Sequence, residues 1–188
     1  MKKILLTAVA VFGFTFANAQ ETKFGAKAGL NISNFTGDVE DNSSKIGFQV
    51  GAFAEIKVSD KFAVQPEVVF SALGAKFDFG GTDVNYNMNY LTIPVMAKYF
   101  VAEGFSLEAG PQIGFLMSAK AKADGESLDV KDGFESTDFG INVGAGYDVT
   151  ENINLGLRYT IGVSNILADS GDVKAGNSNI AFAVGYKF

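Results

Sequence analysis

The sequence predicts an all-β fold: an eight-stranded antiparallel up-and-down transmembrane β-barrel. Apolar residues recur at every second position along eight segments, the signature of strands with one greasy face. Short and long polar connections alternate between those segments. No charged residue falls on the apolar parity of any segment, although 19% of the chain is charged. A Lys or Arg facing mid-bilayer costs about 2–4 kcal/mol, so this exclusion is what a lipid-facing surface requires.

Bulk composition bounds the alternatives. The 188 residues suit a single domain, and 47% of them are hydrophobic. Outside the N-terminus no apolar run reaches transmembrane-helix length. Twenty-two glycines and eighteen phenylalanines against three prolines suit strands that pack closely on one side and are greasy on the other. With no Cys, the redox compartment cannot be read from thiols. A net charge of −6 argues against a nucleic-acid partner, which needs clustered Lys and Arg.

Residues 1–19 read as a signal peptide. Lys2 and Lys3 precede an apolar stretch from Ile4 to Phe16, and Ala17-Asn18-Ala19 supplies a small-x-small cleavage site. Residues 20–188 then form the barrel domain.

The strands follow in order. The first offers Phe24, Ala26, Ala28, Leu30 and Ile32, and the second runs at the same spacing from Ile46 through Phe48 and Val50 to Val58. The third carries Phe62, Val64, Pro66, Val68, Phe70 and Ala72. Strands four and five form a hairpin, Leu91 to Tyr99 and Phe105 to Met117, joined by a tight turn at 101–104. Its opposite face holds Thr92, Lys98, Ser106, Glu108, Gly110, Gln112 and Gly114. The sixth strand spans Phe139 to Val149, the seventh Ile153 to Val163, and the last Ile180 to Phe188. Residues 59–61 and 150–152 are the other tight turns. Long loops are expected at 36–44, 77–89, 119–136 and 167–177, with turn pairs such as Asp132-Gly133. An even strand count puts both mature termini in the periplasm.

Parity alone does not say which face looks out, and a lipocalin-like secreted barrel would turn the apolar face inward around a ligand. Three features favour apolar-out. The second parity set is rich in glycine, which suits a cramped eight-stranded lumen. Its charges balance, with Lys27, Lys57, Lys98, Arg158 and Lys187 against Glu55, Glu67, Glu108, Asp138 and Asp148. Aromatics collect near the strand ends, as in interfacial girdles.

TIPVMAKYF, then a short turn and EAGPQIGFLM, resembles the paired signature of the small PorT-like outer-membrane β-barrel family of Gram-negative bacteria, within the porin-like outer membrane protein beta-barrel domain group. Gln65-Pro66-Glu67 followed by Val68-Val69-Phe70-Ser71 is similar to that family's third strand. The resemblance implies an outer-membrane location and this fold, for residues 20–188. The terminal Tyr186 and Phe188 resemble the signal by which barrel-assembly machinery recognises its clients, and they also suit a girdle.

Small outer-membrane barrels that are enzymes, such as lipid A acylases and omptin proteases, rely on His for general-base work, and this chain has none. No catalytic, cofactor or metal residue is assigned, and no cofactor is expected. Lys27, Glu55, Glu67, Lys98, Glu108 and Arg158 are the candidate site: a lumen charge network, read as a plug in preference to a proton path. The expected partners are outer-membrane lipid, lipopolysaccharide and the assembly machinery, for a monomeric barrel with an unidentified extracellular contact. Acidic residues at Asp38, Glu40, Asp41, Asp124, Glu126, Asp129, Asp132 and Glu135 read as solvated loops, without the spacing of an EF-hand. The leading expectation is a non-enzymatic barrel whose loops serve surface interaction or envelope stability. The rivals are a narrow channel or secretion accessory, and the lipocalin-like binder.

Overall fold

The computed structural model describes residues 21–39, 41–78, 80–123, 125–168 and 171–188. The signal segment read at 1–19 lies outside them. Nine strands appear among the described residues: β1 (Thr22–Gly37), β2 (Asn42–Ser59), β3 (Phe62–Asp78), β4 (Asp83–Ala102), β5 (Phe105–Ala123), β6 (Glu126–Asp129), β7 (Thr137–Asp148), β8 (Ile153–Gly162) and β9 (Ala175–Lys187). Eight make the ring. Each pairs antiparallel with the next, β5 passes to β7, and β9 returns to β1, so the ring of eight closes on itself. The ninth, β6, folds back on the far end of β5 within the loop that the sequence expects there.

The apolar parity faces outward. Leu30, Phe48, Val68, Val95, Leu107, Ile141, Leu157 and Phe182 are all exposed, whereas Glu55, Glu67, Lys98 and Glu108 are buried. A ligand-enclosing soluble barrel would show the reverse, so the lipocalin-like expectation is corrected. At the short-turn end aromatics meet across strands, with Phe62 opposite Tyr99 and Phe105 opposite Tyr147. Phe48 and Phe70 sit 5.8 Å apart near the other end. The distance from Tyr99 to Leu91 is about 26 Å along the strand at roughly 3.3 Å per residue, and tilt reduces it to about 20 Å of height, close to a bilayer's apolar band.

The loops are shorter than the sequence suggests. β3 and β4 continue through most of 77–89 and leave only 79–82 to connect them, and β5 and β9 likewise absorb 119–123 and 175–177 from the loops expected at 119–136 and 167–177. The cause is an inversion of polarity. On β4 the outward positions Leu91 to Tyr99 are apolar, but Asn85, Asn87 and Asn89, on the same parity, are polar. The inward positions Tyr86, Met88 and Tyr90 are apolar, and Met88 and Tyr90 are buried. Above the lipid the outer solvent is water, so the strand keeps its alternation with the sign reversed.

That reversal builds an apolar core the sequence reading did not foresee. Phe35, Leu73, Met88, Tyr90, Leu116 and Ile166 pack together inside the loop end of the barrel. A bulge at Met117, where Asn89 faces Ser118 but Tyr90 faces Leu116, keeps Leu116 and Ala119 inward while Met117 stays exposed. Phe53 and Met96 also point inward, among residues otherwise polar.

Candidate functional site

Below the apolar core, the bore is crossed by a circuit of ion pairs. Arg158 on β8 forms a two-pronged contact with Glu67 on β3, Nη1 to Oε2 at 3.0 Å and Nη2 to Oε1 at 2.9 Å. Its Nη2 also donates to Glu108 Oε2 at 3.0 Å. Lys27 reaches the same Glu67 at 2.8 Å. Lys98 donates to Glu55 at 2.6 Å and lies 3.5 Å from Glu108, which joins the two halves. Lys187 closes the chain, at 2.9 Å from Glu55 and 3.0 Å from Asp148.

Each of the eight ring strands contributes one of these charges: Lys27, Glu55, Glu67, Lys98, Glu108, Asp148, Arg158 and Lys187. Four are positive and four negative. Neutrality is what allows so many charges to leave water, since a buried charge without a partner is expensive. Uncharged groups fill the remaining valences: Gln65 donates to Glu67 at 2.8 Å and accepts from Lys98 at 3.2 Å. Lys98 also lies 5.6 Å from the centre of the Phe100 ring.

Closure decides these meetings. Lys98 faces Glu108 directly across β4 and β5, and Glu108 faces Gly144, which faces Arg158. A glycine next along β7 makes room: a Cβ on Gly146 would stand 2.6 Å from Glu108 Oε1. A Cβ on Gly25 would strike the inward Phe53 ring.

All six residues read from the sequence as the lumen network lie in this circuit. Two others in the balanced set of charges do not. Lys57 is at the short-turn rim, where it contacts Glu21 at 3.1 Å and remains substantially exposed. The hydrogen bonds from Lys57 and Lys23 hold the Glu21 carboxyl below its ordinary range. Asp138 lies apart from the circuit and accepts hydrogen bonds from Ser164 Oγ at 2.9 Å and Asn177 Nδ2 at 2.8 Å. Asp148, Lys187 and the uncharged Gln65 complete the site. Their inward parity was the available signal, but which partner each meets depends on the ring.

Tyr186 and Phe188 are exposed at the end of β9, with rings 5.6 Å apart at an angle of 62°. Two acidic loop residues accept backbone N–H groups, Asp38 from Lys174 in another loop and Asp129 from the nearby Lys131. Glu40 and Asp124 lie outside the described residues. Among the described residues no three acidic side chains are grouped to hold a metal ion.

The fold and its outward apolar belt define the class, an integral transmembrane β-barrel. The chain belongs to the outer membrane protein beta-barrel domain family, which matches residues 17–168. It is therefore an integral protein of the outer membrane. No curated protein matches the chain. Among solved structures it is similar to Ail, the attachment invasion locus protein of Yersinia pestis, with 17% identity, 89% of this chain and 99% of that chain covered, and a TM-score of 0.57. Neisserial surface protein A is similar at 14% identity over 89% and 99% of the two chains, with a TM-score of 0.59. A major outer membrane protein from Thermus thermophilus is similar at 15% identity over 89% and 100%, with a TM-score of 0.53. At these identities the likeness concerns the fold. The PorT-like affinity of TIPVMAKYF remains a resemblance within the broader family.

Proposed function

We propose that the chain is a non-enzymatic barrel with a closed bore, which presents its strand extensions and loops for surface interaction or envelope stability. The observation that carries this reading is the neutral circuit of eight charges, one from each ring strand, beneath an apolar core that fills the loop end. Ions would have to break paired charges and then pass buried Leu73, Met88 and Tyr90. Residues 1–19 would be removed. The described chain ends and the tight turns lie together, as in Lys187 N to Asn152 O at 2.7 Å and Lys57 N to Glu21 O at 3.0 Å, and this end would face the periplasm. Tyr186 and Phe188 would serve both girdle and assembly signal. The belt would contact lipid and lipopolysaccharide around a monomer.

A narrow conducting role is the second reading, and one feature favours it. Two small polar cavities of about 30 and 20 Å³ flank Arg158 within the lumen, each large enough for water. Planar-bilayer recording of the refolded protein separates the two. A closed bore gives a baseline indistinguishable from protein-free bilayers, and steady unitary conductance would refute closure.

A further inference from the structure

At the loop end, above the buried core, Phe35, Phe77, Tyr86, Phe134, Leu167 and Ala175 surround a cavity of 220 Å³ open to solvent. Among the described residues four aromatic rings form one cluster on it, with centroid separations from 5.5 Å for Phe77 and Tyr86 to 6.3 Å for Phe35 and Phe134. Folded interiors normally leave few voids larger than a water molecule, and an apolar hollow facing water costs free energy that a filled core would not.

The walls are built, not loose. Phe134 and Leu167 are joined by an isolated β-bridge. Glu135 N donates to Ile166 O at 2.8 Å, and Ala168 N to Gly133 O at 3.1 Å. On the opposite wall Asp38 N donates to Lys174 O at 2.8 Å, while Lys174 N returns a bond to Asp38 Oδ2 at 2.9 Å. These ties fix Val39 and Ala175, which also line the cavity. The floor is blind, since Leu73, Met88, Leu116 and Ile166 fill the lumen below.

We propose that this cup binds a small neutral molecule of one or two fused aromatic rings bearing at most one hydrogen-bonding group. Size sets the ring count: an apolar cavity of about 150 Å³ holds benzene, so 220 Å³ admits a bicyclic ring. Chemistry sets the class. Aromatic walls favour offset or edge-on ring contacts. Among the described residues no charged side chain lines the cavity, so they offer an entering ion no partner for the hydration it would lose. Among the described lining residues Tyr86 alone carries a polar side-chain atom, which fits one hydroxyl or ring N–H. The blind floor makes this a binding site and not a route, whether or not the bore below conducts.

The test is calorimetric titration of 2-naphthol into the detergent-solubilised full barrel, with empty micelles as the partition control and naphthalene-2-sulfonate as the charged comparator. The expected result is a saturable one-to-one heat above micelle partitioning for 2-naphthol and none for the sulfonate. Leu167→Trp, which fills the cup, should weaken binding at least tenfold, and Phe134→Ala, which removes a wall, should do likewise. Each variant is first checked for a heat-dependent gel shift, and if one fails to fold the other carries the test. Heat no greater than that of empty micelles overturns the proposal. So does saturable binding that a folded cup variant leaves unchanged, because the probe would then sit elsewhere.

Discussion

Arg158 shows most plainly how the interior is held. Its guanidinium bridges two carboxylates, Glu67 from directly across the ring and Glu108 from two strands away, with three hydrogen bonds of 2.9–3.0 Å. Planar, forked donors suit such a bridge, and a lysine could not span it. Burying ion pairs is not in itself stabilising, but removing one partner strands the others. Arg158→Met should therefore cost about 3–5 kcal/mol, read from the urea midpoint of the refolded barrel. Lys57→Met, which breaks only the rim pair with Glu21, should cost less than about 1 kcal/mol. Adding Glu67→Gln to Arg158→Met should cost less than the sum of the single changes, since the two groups share a network. Parity was enough to nominate Arg158 and Glu67 from the sequence. It could not say that they meet, because 91 positions separate them and only closure of the ring brings them together.

At the scale of one element, β4 carries the clearest physical lesson. Between Asn89 and Leu91 its outward face passes from polar to apolar, while its inward face passes from Tyr86, Met88 and Tyr90 to Thr92 and Lys98. The lower half was legible because an apolar outer parity is the stated pattern of a lipid-facing strand. The upper half was misread as loop because the same alternation, with its sign reversed, no longer matched that pattern. Phe53 and Met96 escaped for a related reason: they lie on the inward parity, which was read as small and polar. The boundary makes a sharp prediction. Val95→Lys places a charge on the hydrocarbon-facing surface and should lower the folding free energy into lipid vesicles by about 2–4 kcal/mol. Asn87→Lys, on the same face of the same strand but above the belt, should change it by less than about 1 kcal/mol. Equal costs at the two positions would mean that the boundary is misplaced.

For the molecule as a whole, three layers follow from where each solvent lies. A greasy belt meets lipid, a neutral circuit of charges fills the bore at the same depth, and an apolar core, topped by its aromatic cup, closes the loop end. The ring of eight strands and its outward belt were legible, because alternation and the exclusion of charge survive in any one strand. The core at the loop end was not, since Phe35, Leu73, Tyr90, Leu116 and Ile166 come from five separate segments whose convergence no local pattern reports. The chain contains no tryptophan, so single Trp reporters can be placed without background. The most direct measurement is quenching by lipids brominated on their acyl chains, for Leu157→Trp on the exposed face and Phe53→Trp in the bore. Strong quenching of the first with little of the second is the predicted result; quenching of the Phe53 reporter alone, or of neither, would contradict a lipid-facing belt around a filled interior.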